Sequence, residues 1–195
     1  MGYCQYFYKF PKHITEGLKN CNTVKDVYDF CALNGIKSKY QFDEDDYHIP
    51  PYEIGDYVYD LGKCFEGWKD VQANGYPLWK EDTELGKAYY DYDIWIVDRN
   101  AFKAVIEHYR QKIVNMYEDL LREQSVDGWN KTLQLERLKN HVEDYLFNWK
   151  HIPYNLDMDM PNIVRSWLYE HAIFELVRLY KTFDSDNYDL IFFGY

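Results

Sequence analysis

The chain has 195 residues, of which 47% are hydrophobic and 19% aromatic, and it carries a formal net charge of -11. This much apolar surface can offset the entropy of ordering a chain, which excludes intrinsic disorder and predicts one folded domain over residues 1–195. The negative charge disfavours direct binding to nucleic acids or anionic membranes and favours basic partner proteins.

The cysteines and the N-terminal segment predict a cytoplasmic protein. Cys4, Cys21, Cys31 and Cys64 show neither CxxC spacing nor the cysteine and histidine spacing of a zinc site, so we interpret them as reduced thiols. The first ten residues lack the charged start and the long apolar run of a signal peptide. No stretch of the sequence is long and apolar enough to span a bilayer.

The first 52 residues predict a strand, a helix and a loop. Residues 3–10 are rich in β-formers and are followed by Pro11, which cannot donate to a strand ladder. Thr23 and Asp26 have the spacing of a capping box, and Asn34-Gly35 is a typical helix stop. The apolar residues at helical spacing between these signals are Val24, Val27, Tyr28, Cys31 and Leu33. Residues 36–52 have no sustained period and predict a long loop.

Residues 54–73 predict an amphipathic helix. Eight apolar residues from Ile54 to Val71 lie within about 140° of arc at 100° per residue, and Asn74-Gly75 follows as a stop. The opposite side of this wheel gathers acidic residues, including Asp56 and Asp60. One helical turn would place those two carboxylates about 5–6 Å apart, which is comparable to the phosphate spacing along a nucleic-acid strand.

The rest of the chain predicts further helices and two strands. Strands are expected at residues 92–97 and 188–193, and helices at 99–124 after an Asp98 cap, from Thr132 to before Pro153, and at 161–182, with a turn at 126–130. The last helix is apolar around most of its wheel, which predicts that it is the central one. The predicted fold class is therefore α+β and predominantly helical, with about five helices on a small sheet of about three strands that includes both termini.

No pattern typical of a catalytic or cofactor site occurs: HExxH, GxSxG, GxGxxG and CxxC are all absent from the sequence. His171 and Glu175 stand one helical turn apart and could form a metal pair, although Arg178 is placed to make an ordinary ion pair with Glu175. Two acidic segments, residues 43–48 and 184–189, could bind a divalent cation. Because they lack the glycine and terminal glutamate of a calcium loop, we interpret them as solvated turns and predict no catalytic residue, metal site or cofactor.

Acidic residues and tyrosines cluster in two segments of the sequence. Residues 41–60 contain seven acids and no Lys or Arg, and residues 81–98 contain six acids around Tyr89, Tyr90 and Tyr92. Carboxylates can occupy a cleft lined with Lys and Arg, and tyrosine provides the rigid contact area that interfaces favour. The predicted partner-binding residues are Asp43, Glu44, Asp45, Asp46, Tyr52, Glu53, Asp56, Asp60, Asp70, Asp91 and Asp93.

These patterns support three hypotheses of function. The first is a non-enzymatic inhibitor that blocks a basic, nucleic-acid-handling enzyme, as phage anti-defence proteins of the anti-CRISPR type and toxin-immunity proteins do. The second is a metal-dependent hydrolase or transferase that uses His171, Glu175 and acidic-loop carboxylates. The third is a structural or assembly subunit held by apolar contacts. The sequence leaves the oligomeric state open.

Overall fold

The computed structural model describes residues 4–37, 51–61, 65–123, 132, 136 and 173–195. The chain divides into two compact units, one formed by residues 1–102 with 184–195 and the other by residues 103–183. The prediction of a single domain stays a prediction. Within the described ranges, no helix has the length and apolar composition that crossing a membrane requires.

Five strands and seven helices are interspersed along the described residues. Their bounds are β1 Gln5–Pro11, α1 Lys12–Lys19, α2 Val24–Leu33, α3 Pro51–Ile54, β2 Asp56–Asp60, α4 Trp68–Asn74, β3 Tyr76–Pro77, α5 Glu84–Ala88, β4 Asp93–Val97, α6 Arg99–Glu123, α7 Ile173–Thr182 and β5 Tyr188–Gly194. The protein therefore mixes helices with a sheet, as predicted. The predicted loop at 36–52, turn at 126–130 and helix from Thr132 to Pro153 lie almost wholly outside the described residues, as does the first half of the helix predicted at 161–182.

The strands form one antiparallel sheet in the order β2-β1-β5-β4-β3. The three strands predicted from the sequence are β1, β5 and β4, which lie side by side at its centre, so the prediction that both terminal strands belong to the sheet is confirmed. The strand number is wrong, because the sheet has five strands rather than three. The two strands missed are the two edges, and one of them, β3, is only two residues long.

Both faces of the sheet are covered, because alternate residues of β1 and β5 are apolar on each side. On one face, which we call the phenylalanine face, Phe7 contacts Phe192, Phe65 and Phe102, with ring centroids 5.6–6.2 Å apart. On the opposite face, which we call the tyrosine face, Tyr8 and Phe10 belong to a core that includes Ile14 and Leu18 of α1, Val27 of α2 and Leu85 of α5. The molecule therefore buries a core on each side of the sheet.

Local signals explain where α2 and α6 begin. Thr23 Oγ1 accepts a hydrogen bond from the Asp26 N–H at 3.1 Å, and the Asp26 carboxylate accepts one from the Thr23 N–H at 2.9 Å. Asp98 Oδ1 accepts from the Ala101 N–H at 2.8 Å and caps α6. Both predicted starts are confirmed. Of the apolar residues at helical spacing, Val24, Val27 and Cys31 are buried, whereas Leu33 is 87% exposed at the last turn of α2.

The predicted helix at 54–73 is wrong. The segment DYVYD, residues 56–60, forms edge strand β2, and the helix that follows begins only at Trp68. Gly55 separates α3 from β2. A side chain does not fit at this position, because an added Cβ would lie 2.5 Å from the Lys9 carbonyl oxygen. Tyrosine and valine favour a strand at this edge, and the helical period of the apolar residues arises from two different elements read as one.

The second unit contains residues 103–123 of α6 together with α7. Val105, Ile106, Tyr109 and Ile113 of α6 are buried, as their helical spacing predicts. In the described part of α7, Leu176 and Val177 are buried while Arg178 is exposed. This part of the last helix is thus amphipathic rather than apolar all round.

The capping box of α2 predicts a stability that depends on pH. Hydrogen bonds from the backbone N–H groups of Asn22 and Thr23 hold the pKa of Asp26 below its usual range. A carboxyl whose folded-state pKa is lowered stabilises the protein above its unfolded pKa of about 4 and loses that contribution as the pH falls through the folded value. We expect Asp26→Asn to be less stable than wild type at neutral pH, with the difference shrinking between about pH 5 and pH 2. Urea unfolding of both proteins across this pH range measures the difference in stability. A difference that does not change with pH would show that titration of the Asp26 carboxylate is not its cause.

Candidate protein-binding surface

A continuous series of aromatic rings crosses the tyrosine face of the sheet. The ring centroids follow one another at 6.5 Å from Tyr57 to Tyr6, 6.0 Å to Tyr195, 6.4 Å to Tyr92, 6.5 Å to Tyr89 and 4.8 Å to Trp79. We call these six residues the tyrosine row. All the separations lie in the range of about 4.5–7 Å in which aromatic pairs attract each other.

The centre of the row depends on the pairing of the first and last strands. Cys4 and Tyr195 exchange both backbone hydrogen bonds, at 2.8 and 3.0 Å, which places Tyr195 against Tyr6 at an interplanar angle of 21°. A hydrogen bond between the Tyr6 and Tyr195 side chains, together with burial, raises the pKa of Tyr6. Tyr6 therefore stays protonated and uncharged at neutral pH.

A β-bulge places Tyr57 in the row. Tyr59 pairs with Phe7 and Tyr57 with Tyr8, so Val58 is the extra residue of β2. Because paired residues of antiparallel strands lie on the same face, Tyr57 and Asp60 both lie on the tyrosine face. Without the bulge, residues three apart in a strand would point to opposite faces.

The row reaches solvent at the ends of its strands. Tyr57 is 58% exposed and Tyr195 is 50% exposed, whereas Tyr6 and Tyr92 are half-buried and Tyr89 is buried. Tyr90, beside the row, is 78% exposed. Large aromatic rings that are held by packing yet open to water are typical of surfaces that bind another protein.

The structure distributes the predicted acidic residues over both faces. Asp60 pairs with Tyr6 and lies beside the row, and Asp91 precedes Tyr92 on an exposed turn. Asp56 pairs with Lys9 instead, on the phenylalanine face, and the Lys9 Nζ lies 3.3 Å from its carboxylate. The predicted single stripe of Asp56 and Asp60 is therefore wrong. Four residues of a strand span about 13 Å, so the helical spacing that resembled phosphates is not present.

Asp70 and Asp93 lie close to α4. Asp70 is in its first turn, and Gln72 donates from Nε2 to Asp93 Oδ1 at 3.1 Å. Asp93 pairs with Gly194 at the start of β4, on the phenylalanine face. Glu53 is a half-buried residue of α3. Asp43, Glu44, Asp45, Asp46 and the side chain of Tyr52 lie outside the described part of the molecule.

The far end of the row opens into a cleft of about 840 Å³. Trp79 and Tyr92 line it from the tyrosine row, and Tyr90, Asp93 and Trp95 line it from the segment that leads into and through β4. Trp79 is fixed because its indole Nε1 donates to the Leu18 carbonyl at 3.0 Å. Tyr90, Tyr92, Asp93 and Trp95 all belong to the acidic, aromatic segment at residues 81–98, but the sequence does not reveal the cleft.

The described residues provide no support for a metal site. Glu175 forms an ion pair with Arg178 at 2.8 Å, as the sequence suggested, and His171 lies outside the described residues. Asp184 accepts hydrogen bonds from the backbone N–H groups of Asp186 and Asn187 and from the Asn187 side chain. Its carboxylate therefore organises the turn before β5. Among the residues described, no group of three or more His, Cys, Asp or Glu side chains converges.

Two of the three described thiols are partly protected by packing. Burial raises the pKa of the Cys31 thiol to about 12 and also raises the pKa of Cys21. Both thiols are therefore protonated and poorly nucleophilic at neutral pH. Cys4, Cys21 and Cys31 form no disulfide, which agrees with the prediction of reduced thiols for these three residues, and Cys64 lies outside the described residues.

Sequence reasoning missed Tyr6 and Tyr195, the residues that join the two acidic segments. They stand at opposite ends of the chain and meet only because β1 and β5 are neighbours. Comparisons with protein-family models, with curated proteins and with solved structures find no match to this chain. The function is therefore inferred from the chemistry of this surface.

Proposed function

We propose that this protein is a non-enzymatic inhibitor that binds a basic partner protein through the tyrosine row and the carboxylates beside it. The partner class is an enzyme that handles nucleic acid, because such enzymes present clefts lined with Lys and Arg. The inhibitor would act like phage anti-defence proteins or immunity proteins, by occupying the cleft in place of the nucleic acid.

The observation that carries the proposal is the row itself, in which the two exposed tyrosines, Tyr57 and Tyr195, are held in place by the less exposed ring of Tyr6 between them. Tyr57 contacts both Tyr6 and Tyr8, and Tyr195 contacts Tyr6, Tyr92 and Phe193. Rings already fixed in the free protein lose little side-chain entropy when a partner binds. Tyrosine in such a position commonly contributes a large share of binding energy.

Charge supports the same proposal. The net charge of -11 attracts a positively charged partner and accelerates the encounter. Asp60, which lies beside the row on the tyrosine face, and Asp91, which precedes Tyr92, are both exposed, so their carboxylates can meet cations of a partner.

Capture from a lysate of the native host, followed by identification of the bound proteins, tests the proposal. At about 0.1 M salt we expect a basic nucleic-acid-handling enzyme, released at about 1 M salt because the screening length falls from about 10 Å to about 3 Å. The purified partner should lose its nucleic acid when this protein is added. Capture of a partner that resists salt and keeps its nucleic acid would instead favour an assembly subunit held by apolar contacts.

A further inference from the structure

The cleft at the end of the tyrosine row has the size and the fixed walls of a binding site. Its volume of about 840 Å³ lies within the range of about 300–1,000 Å³ that is usual for ligand pockets. Trp79 stacks on Tyr89 at 4.8 Å and is tied to Leu18 by its indole N–H. Asp93, which also lines the cleft, is tied to α4 by a hydrogen bond from Gln72.

The loop at the rim of the cleft is held close to α5. Gly86 faces the backbone of Lys80 so closely that an added Cβ would lie 2.0 Å from the Lys80 carbonyl oxygen. Thr83 caps α5 by accepting from the Gly86 N–H at 3.0 Å, and its hydroxyl donates to the Lys80 carbonyl at 2.6 Å. These contacts hold the rim that carries Glu81 and Asp82 in one position against α5.

The lining combines aromatic rings with carboxylates. Rings of Trp79, Tyr90, Tyr92 and Trp95 border the cleft, and Glu81, Asp82 and Asp93 supply three carboxylates against the two lysines Lys80 and Lys87. Both lysines, Glu81 and Asp82 are exposed, so water screens their charges, whereas Asp93 is half-buried and less screened. The net charge of the lining and of the whole protein is negative, which disfavours an anionic ligand.

A planar cation fits this combination better than a compact one. A guanidinium group lies flat on aromatic faces and donates two parallel hydrogen bonds to one carboxylate, whereas an ammonium group, which is also attracted to aromatic faces, is a compact charge without that planar fork. Asp93 lines the cleft, and its carboxylate keeps a fixed orientation because Oδ1 accepts a hydrogen bond from Gln72 Nε2.

We propose that the cleft binds an arginine side chain that the basic partner inserts between the rings and Asp93. This inference rests on the proposed function, because it identifies where that partner is anchored. Independently of that partner, the cleft alone should bind arginine more tightly than other side chains.

Calorimetric titration of the full chain with short peptides tests the inference. The probe is a Gly-Ser peptide with one central arginine, compared with peptides that carry lysine or the neutral isostere citrulline and with a neutral oligosaccharide. We expect saturable binding of the arginine peptide, weaker binding of the lysine peptide by about tenfold and no binding of the other two. Equal binding of the arginine and citrulline peptides, or binding of the sugar instead, would overturn it.

A variant pair assigns the binding to the cleft. Asp93→Asn keeps an oxygen that can accept from Gln72 but removes the charge, so we expect arginine-peptide affinity to fall by about tenfold or more. Asp29→Asn removes the same charge from an exposed residue of α2 that does not line the cleft, so it is the control and should bind as wild type does. Circular dichroism shows whether each variant is folded. If Asp93→Asn does not fold, the comparison of the arginine and lysine peptides on the wild-type protein remains as the test.

The two proposals can fail separately. If a basic partner is captured and Asp93→Asn binds it with wild-type affinity, the anchor is wrong and the proposed function stands. If the arginine peptide binds in the cleft but no basic partner is captured, the cleft site stands and the inhibitor function is wrong.

Discussion

Phe192→Ala is expected to lower the free energy of unfolding by about 3–5 kcal/mol, the usual loss for a phenylalanine removed from a core. Phe192 has no exposed surface and lies on β5, the central strand of the sheet. Its ring contacts Phe7 at 6.2 Å and Phe65 at 6.1 Å. Against a total stability of about 5–15 kcal/mol, this loss is enough to leave the variant marginally folded.

Urea unfolding followed by tryptophan fluorescence measures this effect, with Tyr90→Ala as the control. Tyr90 is 78% exposed, so its removal should change stability by no more than about 0.5 kcal/mol. Phe192→Leu retains most of the buried volume and gives a measurable value if the alanine variant does not fold. A loss of less than about 1 kcal/mol for Phe192→Ala would show that β5 is not a central strand.

Replacing Tyr57 and Tyr195 together with alanine is expected to weaken partner binding by at least about 30-fold, which is the minimum effect of one interface hot spot. Both rings are held in place by Tyr6 and are at least half exposed. The affinity for the captured partner, measured by calorimetry, gives the result.

Tyr76→Ala provides a matched control for this variant. Tyr76 is 58% exposed, as Tyr57 is, but it lies on β3 at the opposite edge of the sheet and is not a member of the row. We expect it to change affinity by less than about threefold, the effect of an ordinary surface substitution. Equal losses in the double variant and in Tyr76→Ala would remove the tyrosine row from the interface.

Strong local signals made part of the fold predictable. Thr23 and Asp26 announce α2 because a capping box satisfies two backbone donors at once, and Asp98 announces α6 for a similar reason. The strands β1, β4 and β5 were predictable because dense runs of aromatic and branched residues are buried on both faces.

The errors arose where short elements follow one another closely. Helix α1 begins immediately after Pro11, and only Ile14 and Leu18 mark its buried side. Strand β2 and helix α4 were merged because alternating tyrosines, followed by Trp68 and Val71, also satisfy a helical period over 20 residues. The acids of the segment then appeared on one side of a helix, whereas the bulge at Val58 divides Asp56 from Asp60.

The surface itself needed long-range information. The sequence marks both acidic segments, but Tyr6 and Tyr195 join them only through the pairing of the first strand with the last. Likewise, Trp79 and Asp93 line one cleft because Leu78 pairs with Ile94 across the sheet, at 2.9 Å between N and O. No local sequence pattern reveals that Tyr6 contacts Tyr195 or that Trp79 and Asp93 line the same cleft.

The dissociation constant of the complex with the captured partner, measured at about 0.1 M and about 1 M salt, shows whether opposite charge holds the two proteins together. Because the proposed contacts join exposed carboxylates to partner cations, we predict that affinity falls by at least about tenfold at the higher salt and that nucleic acid competes for the same site. An affinity that is unchanged by salt, with the partner still able to bind its nucleic acid, would show that this protein does not occupy a basic cleft of its partner.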